Sequence, residues 1–361
     1  MSTFNSFSRV CSDEPASISG LCLPIVLNLL TVQIKSELLD ILRDGDFHSG
    51  EDLGKSLGVS RTAVWKQLQK LEAMGLQLES VKGRGYRIPQ SFELLDQQQI
   101  KGSLEPKVVE QLKALHIYQS LDSTNKMANQ LIQDVADKDT ASGTVILSEY
   151  QTMGRGRRGK NWVSPFAANL YLSIVWDFDQ GASALQGLSL AVGVAVSRAL
   201  KDLAIDDVRL KWPNDIYINN KKLGGILLEM VGDPAGQCTV IIGIGINHTM
   251  PAHSGQIIDQ EWTDIASTVD SPIARNKLAS NIINSCFDML KDYQQKGFQY
   301  YQQEWQAIDA FKGRQAAVST ANKSTTGTLM GVDQYGALKM KLDNGEIVSF
   351  IGGELSLRAI D

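Results

Sequence analysis

Apolar and polar positions follow three different rhythms along the chain, and each rhythm predicts its own architecture. The first runs from residue 34 to 90 and has a helical period. In "IKSELLDILRDG", Ile34, Leu38, Leu39, Ile41 and Leu42 gather on one side of a helix that stops at Gly45. "SGEDLGKSLGV" reads as a short helix closed by Gly58. Ser60 then caps "RTAVWKQLQKLEAMG", where Val64, Leu68 and Leu71 form an inward stripe and Trp65 points outward. "LQLESVKGRGYRI" alternates and turns at Gly83 to Gly85, the pattern of a two-stranded wing.

From 91 to about 310 the rhythm switches between periods of two and 3.6. Strands are predicted near 116–119, 143–150, 168–176, 208–218, 222–231 and 238–246. Helices are predicted over "TNKMANQLIQDV", over "LQGLSLAVGVAVSRALKDL", and as a pair covering roughly 276–309. Strands that follow one another without intervening helices argue for a mixed or antiparallel sheet with helices packed against it, not a doubly wound fold. From 311 to 361 short alternating runs ("GRQAAVS", "TGTLMGV", "ALKMKL", "EIVSF") are punctuated by Gly, Asp and Asn, which predicts a small β-barrel.

Charge sharpens the first segment. Helix, short helix, turn, longer helix and wing form the winged helix-turn-helix order. Between Lys55 and Arg87 lie seven cations (Lys55, Arg61, Lys66, Lys70, Lys82, Arg84, Arg87) against two acids (Glu72, Glu79), in a chain whose net charge is −5. A basic face on an acidic chain is the footprint of DNA binding. Ser60, Arg61, Thr62 and Lys66 are expected on the recognition helix, and Lys82, Arg84 and Arg87 on the wing, against phosphates.

The remaining composition is that of an ordinary globular protein: 361 residues, 43% hydrophobic and 21% charged. Cys11, Cys22, Cys238 and Cys286 are scattered and form no C-x-x-C pair, which argues against zinc fingers and disulfide scaffolds and fits a reducing cytoplasm. The apolar run at residues 20–32 is too short to span a bilayer and has Asp13 and Glu14 before it, so no membrane segment is expected. Residues 1–33 are read as an extension, either a docked arm or the product of an upstream start.

One stretch, "ILSEYQTMGRGRRGKNWVSP", matches two phosphate-binding patterns at once. Gly154, Gly156 and Gly159 spell G-x-G-x-x-G, and Gly154, Gly159 and Lys160 spell G-x-x-x-x-G-K. Both patterns need a helix to follow, because its free N–H groups hold the phosphates. Here Pro165 and a β-rich run follow instead, and Asn161 stands where a P-loop needs Ser or Thr. What remains is a loop in which Arg155, Arg157, Arg158 and Lys160 alternate with glycines. Such a segment is expected to be floppy when empty and to close over a polyanionic ligand as a lid.

Further motifs fit that lid. "KWPND" puts Lys211 at a strand end before Pro213, Asn214 and Asp215; "STN" sets Ser123, Thr124 and Asn125 at a helix start; "IIGIGIN" ends a strand with Gly243 and Gly245. Together with "GRGRRG", "GGIL" and the terminal "GGELSLR", these pieces make the chain resemble the bifunctional biotin protein ligases that also repress the biotin operon. The resemblance covers roughly residues 35 to 361. It implies an α/β (α+β) multidomain protein: a winged helix-turn-helix domain at 34–90, a mixed-sheet ligase domain of the class II synthetase and biotin–lipoyl ligase type at 91–310, and an SH3-like β-barrel at 311–361.

The activity implied is the joining of biotin and ATP, with Mg2+, to biotinyl-5′-AMP, then transfer to a lysine of the biotin carboxyl carrier protein of acetyl-CoA carboxylase. The adenylate would also act as corepressor, promoting a homodimer that binds operator DNA. By family position, Lys211, Arg155, Arg157 and Asp215 carry the chemistry. Ser123, Thr124, Asn125, Gln151, Arg155, Gly156, Arg157, Lys211, Gly243 and Gly245 would hold biotin. Arg157, Arg158, Trp162, Asn214 and Asn247 would hold the adenylate. The resemblance does not single out the ligands of the Mg2+. Competing readings are a ligase whose winged domain regulates nothing, a lipoyl or octanoyl transferase, and a DNA-binding biotin sensor without catalysis.

Overall fold

The computed structural model describes residues 34–89, 92–134, 140–179, 181, 185–233, 236–319, 324–352 and 356–359. The extension at 1–33, the expected boundary at 90/91 and residues 353–355 of "GGELSLR" lie outside the described residues. The chain divides into two compact units, one reaching Ala73 and including Leu78–Arg87, the other comprising Met74–Gln77 and everything from Ile88 onward.

In the first unit the three predicted helices are α1 (Ser36–Leu42), α2 (Gly50–Leu57) and α3 (Arg61–Ala73), and the wing is β1 (Glu79–Val81) paired antiparallel with β2 (Gly85–Arg87). Local chemistry fixes the boundaries. Ser49 caps α2 by accepting from the Asp52 amide at 3.1 Å, and Gly58 ends it with left-handed backbone (φ 62°), a conformation that favours glycine. Ser60 Oγ accepts from the Ala63 amide at 3.2 Å and so starts α3. Val64, Leu68 and Leu71 are fully buried with Leu38, Leu42 and Leu53, each worth roughly 1.5–3 kcal/mol by area. The wing is braced from within: Arg87 Nε donates to Glu79 Oε2 at 2.7 Å, and the Arg84 and Arg87 guanidinium groups stack on Phe47 at 4.2 and 4.5 Å.

The second unit opens with α4 (Gln97–Gly102) and α5 (Pro106–Val109) and is built on a seven-stranded sheet. Its strands are β3 (Ala114–Tyr118), β4 (Thr144–Ser148), β5 (Leu170–Phe178), β6 (Arg209–Lys211), β7 (Asp215–Ile218), β8 (Lys221–Gly232) and β9 (Cys238–Ile246), in the order β3-β4-β5-β9-β8-β7-β6. Only β3 and β4 run parallel; the other pairs are antiparallel, as the directly consecutive strands led one to expect. The single strand expected over 208–218 is two short strands instead. A tight turn with a cis Trp212–Pro213 bond divides it, and the Asn214 amide closes the turn onto Lys211 O at 3.2 Å.

Strand alternation decides which face is core and which is site. Leu172, Ile174, Ile242, Ile244 and Leu210 pack beneath the sheet with α7 (Leu188–Lys201) and α9 (Arg275–Lys296). Their neighbours Ser173, Gly243 and Gly245 turn to the opposite face, on which α6 (Thr124–Asp134) lies through Ala128. A short helix α8 (Ala252–Gly255) follows β9, and α10 (Gln302–Ala307) leads out of the core. The chain ends in a second, five-stranded antiparallel sheet of β10 (Gln315–Ser319), β11 (Ser324–Val332), β12 (Leu338–Lys341), β13 (Ile347–Phe350) and β14 (Ser356–Ala359). Its order is β13-β12-β11-β10-β14, and among the described residues no pairing of β13 with β14 closes it into a ring.

Candidate functional site

A cleft of about 740 Å³ opens on the upper face of the large sheet. It lies where α6 begins, where β6 turns into β7, and where the glycine–arginine loop crosses. The strands supply a floor without side chains. A Cβ on Gly243 would stand 2.4 Å from Asn125 Oδ1, and one on Gly245 would stand 2.7 Å from the Trp162 ring, so both positions need glycine for these groups to lie on the sheet.

The loop forms a hairpin with its own hydrogen bonds. Trp162 N donates to Gly154 O at 2.9 Å and Gly156 N to Lys160 O at 2.7 Å. Arg158 (φ 59°) and Gly159 (φ 69°) make the turn with left-handed backbone, which costs an arginine roughly 1–2 kcal/mol. Like charges are separated by pairing. Arg155 Nη1 lies 3.2 Å from Glu229 Oε1, and Arg157 Nη1 donates to Asn214 Oδ1 at 3.2 Å. Burial pulls the Arg157 guanidinium below its ordinary value, an effect the Asp215 charge opposes and the Arg158 charge adds to. A half-desolvated guanidinium of this kind gains most from an arriving anion.

The turn after β6 presents the motif lysine. Trp212 is buried and its indole donates to Gly336 O at 3.1 Å, which anchors the turn while Lys211, Asn214 and Asp215 fan into the cleft. Lys211 Nζ lies 3.3 Å from Tyr217 Oη, and 5.3 and 5.1 Å from the Tyr217 and Phe311 ring centroids. Burial first, and then the Asp215 charge, push the Tyr217 hydroxyl well above the usual range, so a protonated phenol and two aromatic faces hold the ammonium. Asp215 Oδ1 is paired with Lys222 Nζ at 2.8 Å, both side chains being mostly covered (17% and 14% exposed).

At the start of α6 the neutral polar groups converge. Ser123 Oγ caps the helix by accepting from Lys126 N at 3.1 Å. Gln151 Oε1 accepts from Thr124 N at 2.9 Å, and Gln151 Nε2 donates to Ser164 Oγ at 3.0 Å. Ser173, fully buried on β5, reaches Thr124 Oγ1 at 2.8 Å and Asn125 Oδ1 at 2.6 Å.

Of the residues expected from sequence, Ser123, Thr124, Asn125, Gln151, Arg155, Gly156, Arg157, Arg158, Trp162, Lys211, Asn214, Asp215, Gly243 and Gly245 all line this one cleft. Asn247 does not. It is buried beyond the end of β9, with Nδ2 donating to Thr263 O at 3.0 Å, and serves the fold there. Ser173, Glu229, Lys222, Tyr217 and Phe311 went unnoticed in the sequence; only the register of the sheet and the approach of the chain at 311 bring them in. On the first unit, Arg61, Thr62, Trp65, Lys66, Lys82 and Arg84 are exposed, Ser60 serves as a cap, and Arg87 is half-buried against Glu79 and Phe47.

The cleft thus joins cations suited to phosphate and carboxylate groups with donors and acceptors suited to a neutral polar head. Known proteins match in the same segments. The Biotin/lipoate A/B protein ligase family model matches residues 117–247, an HTH domain model residues 35–87, and the Biotin protein ligase C terminal domain model residues 313–358. Bifunctional ligase/repressor BirA of Escherichia coli (strain K12) is 38% identical over 331 residues, covering 92% of this chain and 98% of that protein. The protein of the same name from Bacillus subtilis (strain 168) is 30% identical over 318 residues, covering 86% and 95%. Among solved structures, the biotin protein ligase from Aquifex aeolicus in complex with biotin and ATP superposes with a TM-score of 0.58 at 26% identity, covering 69% of this chain and all of that one.

Proposed function

The chain belongs to the bifunctional biotin protein ligase and repressor family, and we propose how its own residues divide the work. It is an ATP-dependent biotin ligase with a DNA-binding repressor domain. DNA recognition falls to 34–90, ligation to 91–310, and the small sheet at 311–361 completes the cleft through Phe311 and Leu357.

In the first half-reaction a biotin carboxylate oxygen attacks the α-phosphorus of ATP; the bond to the bridging oxygen breaks and pyrophosphate leaves. Two anions must approach one another, so cations have to offset their repulsion and the charge growing on the phosphate. Lys211 lines the same cleft as the polar head-group residues and the loop arginines, and takes the bridging role in this reading. Arg155 and Arg157 make forked contacts from the loop, with Arg158 beside them. Mg2+ enters as the chelate of ATP. Ser123, Thr124, Asn125 and Gln151 bind the ureido head over Gly243 and Gly245, with Gly156 above, and Trp162 and Asn214 flank the adenylate.

In the second half-reaction a carrier lysine amine attacks the acyl carbon, the acyl–oxygen bond breaks, AMP leaves, and the amine surrenders a proton. Asp215 is the carboxylate positioned to orient that amine or take the proton. The acceptor is the biotin carboxyl carrier protein of acetyl-CoA carboxylase. Unused adenylate acts as corepressor: the loaded chain dimerises and binds operator DNA in the cytoplasm. Among the described residues no helix is long and apolar enough to cross a membrane.

The observation that carries this reading is the convergence of Lys211, the loop arginines and the Ser-Thr-Asn trio on one cleft. Biotin-dependent exchange of labelled pyrophosphate into ATP tests it. Exchange should need biotin and not carrier; exchange without biotin, or none with it, would refute the reading. Adding operator DNA to the loaded enzyme separates a working repressor from a ligase with a silent winged domain.

A further inference from the structure

We propose that Glu229 is a positioning residue that fixes which atoms of the biotin head-group site accept hydrogen bonds, acting through Asn125 and Ser173. The inference rests on the reading of the cleft as the biotin site.

Glu229 lies on β8, and its carboxylate meets two cleft residues at once. Arg155 Nη1 is 3.2 Å from Oε1, and Asn125 Nδ2 donates to Oε2 at 2.7 Å. A carboxylate in an ion pair only accepts. Asn125 must therefore turn its amide nitrogen to Glu229 and its oxygen to Ser173, since the reverse would set two oxygens face to face. The Ser173 hydrogen follows. Asn125 Oδ1 has nothing to donate, so Ser173 gives its one hydrogen to it, at 2.6 Å. Ser173 Oγ and Thr124 Oγ1 lie 2.8 Å apart, and with the Ser173 hydrogen on Asn125 the Thr124 hydrogen goes to Ser173 Oγ or to Gln151 Oε1, 3.4 Å away. Ser173 is 0% exposed, so bulk water does not reverse the order. With its hydrogen committed, the Thr124 hydroxyl has only lone pairs left. The Asn125 amide occupies the space that a side chain at position 243 would fill.

The cleft is thus offered two acceptors, Asn125 Oδ1 and Thr124 Oγ1, which complement the two N–H groups of a flat cyclic urea. Ser123 supplies the opposite sense. Its oxygen accepts the Lys126 amide in the helix cap, so its hydrogen is directed away from the helix, toward the urea carbonyl. Without the carboxylate the sense is held only by the longer bond from Asn125 Nδ2 to Leu227 O, at 3.4 Å against 2.7 Å to Glu229, because an amide at position 229 satisfies either orientation equally well.

The test is biotin-dependent pyrophosphate exchange in the full chain. Wild type, Glu229→Gln, Glu229→Asp and Arg155→Gln are compared on biotin and on a cyclic carbamate analogue in which oxygen replaces one ring N–H. Glu229→Gln should raise KM for biotin roughly tenfold and shrink the preference for biotin over the carbamate by a similar factor. KM for ATP should stay within about threefold. Glu229→Asp keeps an acceptor-only group and should keep the preference even where KM rises. Arg155→Gln breaks the ion pair but leaves the carboxylate on Asn125, so it too should keep the preference. An unchanged KM and preference in Glu229→Gln would overturn the proposal, as would an equal loss of preference in Arg155→Gln. A wild type without biotin-dependent exchange would remove the ligase reading, and this inference with it.

Discussion

Lys222 Nζ and Asp215 Oδ1 meet at 2.8 Å in the cleft, so the carboxylate of the turn after β6 is held by a second lysine, and that lysine lies 5.6 Å from the Trp162 ring centroid. The pair holds one oxygen of Asp215 inside the cleft, and we propose that this carboxylate receives the amine. Asp215→Asn should slow transfer from preformed adenylate to carrier by roughly a hundredfold, the usual yield of a positioned general base, while pyrophosphate exchange falls far less. Single-turnover quench measurements read both steps. Equal losses in the two would place Asp215 in the first half-reaction instead.

Arg157 ties the loop to the turn after β6, bonding to Asn214 Oδ1 at 3.2 Å. If the hairpin shields a mixed anhydride from water, removing that anchor lets the intermediate escape. Arg157→Gly should still make adenylate but release it at least about tenfold faster, since losing one charged hydrogen bond costs roughly 1.5–3 kcal/mol. Filter-binding of labelled adenylate chased with unlabelled biotin measures the release. Retention equal to wild type would show that the hairpin is not a lid.

Asp309, bridged to Leu210 of the strand that carries Lys211, is a carboxylate at odds with its surroundings. Burial pushes it up to about 6 from an ordinary value of 3.8, against the opposing pull of the Phe311 amide, and its Oδ2 has no partner. Between pH 3.8 and about 6 the folded chain keeps a proton that the unfolded chain has lost. Stability from this group therefore falls as pH rises through that window and stays lower above it. Asp309→Asn should recover on the order of 2–3 kcal/mol at pH 7 and nothing at pH 4. Urea denaturation at the two pH values checks this, and an equal effect at both would contradict it.

The wing carries two kinds of arginine and lysine. Lys82 is exposed at the turn, whereas Arg87 is bound to Glu79 and stacked on Phe47. Lys82→Ala should lower the slope of log affinity against log salt by about one, the signature of one lost phosphate contact. Arg87→Ala should lower the thermal stability of the wing, with a smaller change in slope. Operator titrations across salt concentrations distinguish them, and identical slopes for wild type and Lys82→Ala would remove Lys82 from the interface.

Much of this was legible in the chain because it is local. Caps at Ser49 and Ser60 and the stop at Gly58 bound their helices, and the Val64, Leu68, Leu71 stripe picked the buried face. The loop, "KWPND" and "STN" could be read as parts of one site because each packs several functional atoms into a few residues. What escaped is held by register. Ser173 enters through its place on β5 opposite Gly243, and Glu229 through its place on β8 opposite Ile241, some 50 to 100 residues from the Asn125 they position. Asn247 misled for the converse reason: it follows a strand that does line the cleft, but the chain there turns under Leu223 and Thr263. The strand expected across 208–218 failed because apolar alternation continues on both sides of Pro213 and hides the turn between.

The most direct measurement weighs the product. Wild type and Lys211→Ala are incubated with biotin, Mg-ATP and a biotin carboxyl carrier domain, and the mass of the carrier is recorded. Wild type should add one biotinyl group to every carrier, and Lys211→Ala, folded but lacking the cation between carboxylate and phosphate, should add none. An unmodified carrier with the wild type, or comparable modification by Lys211→Ala, would contradict the chemistry assigned to this cleft.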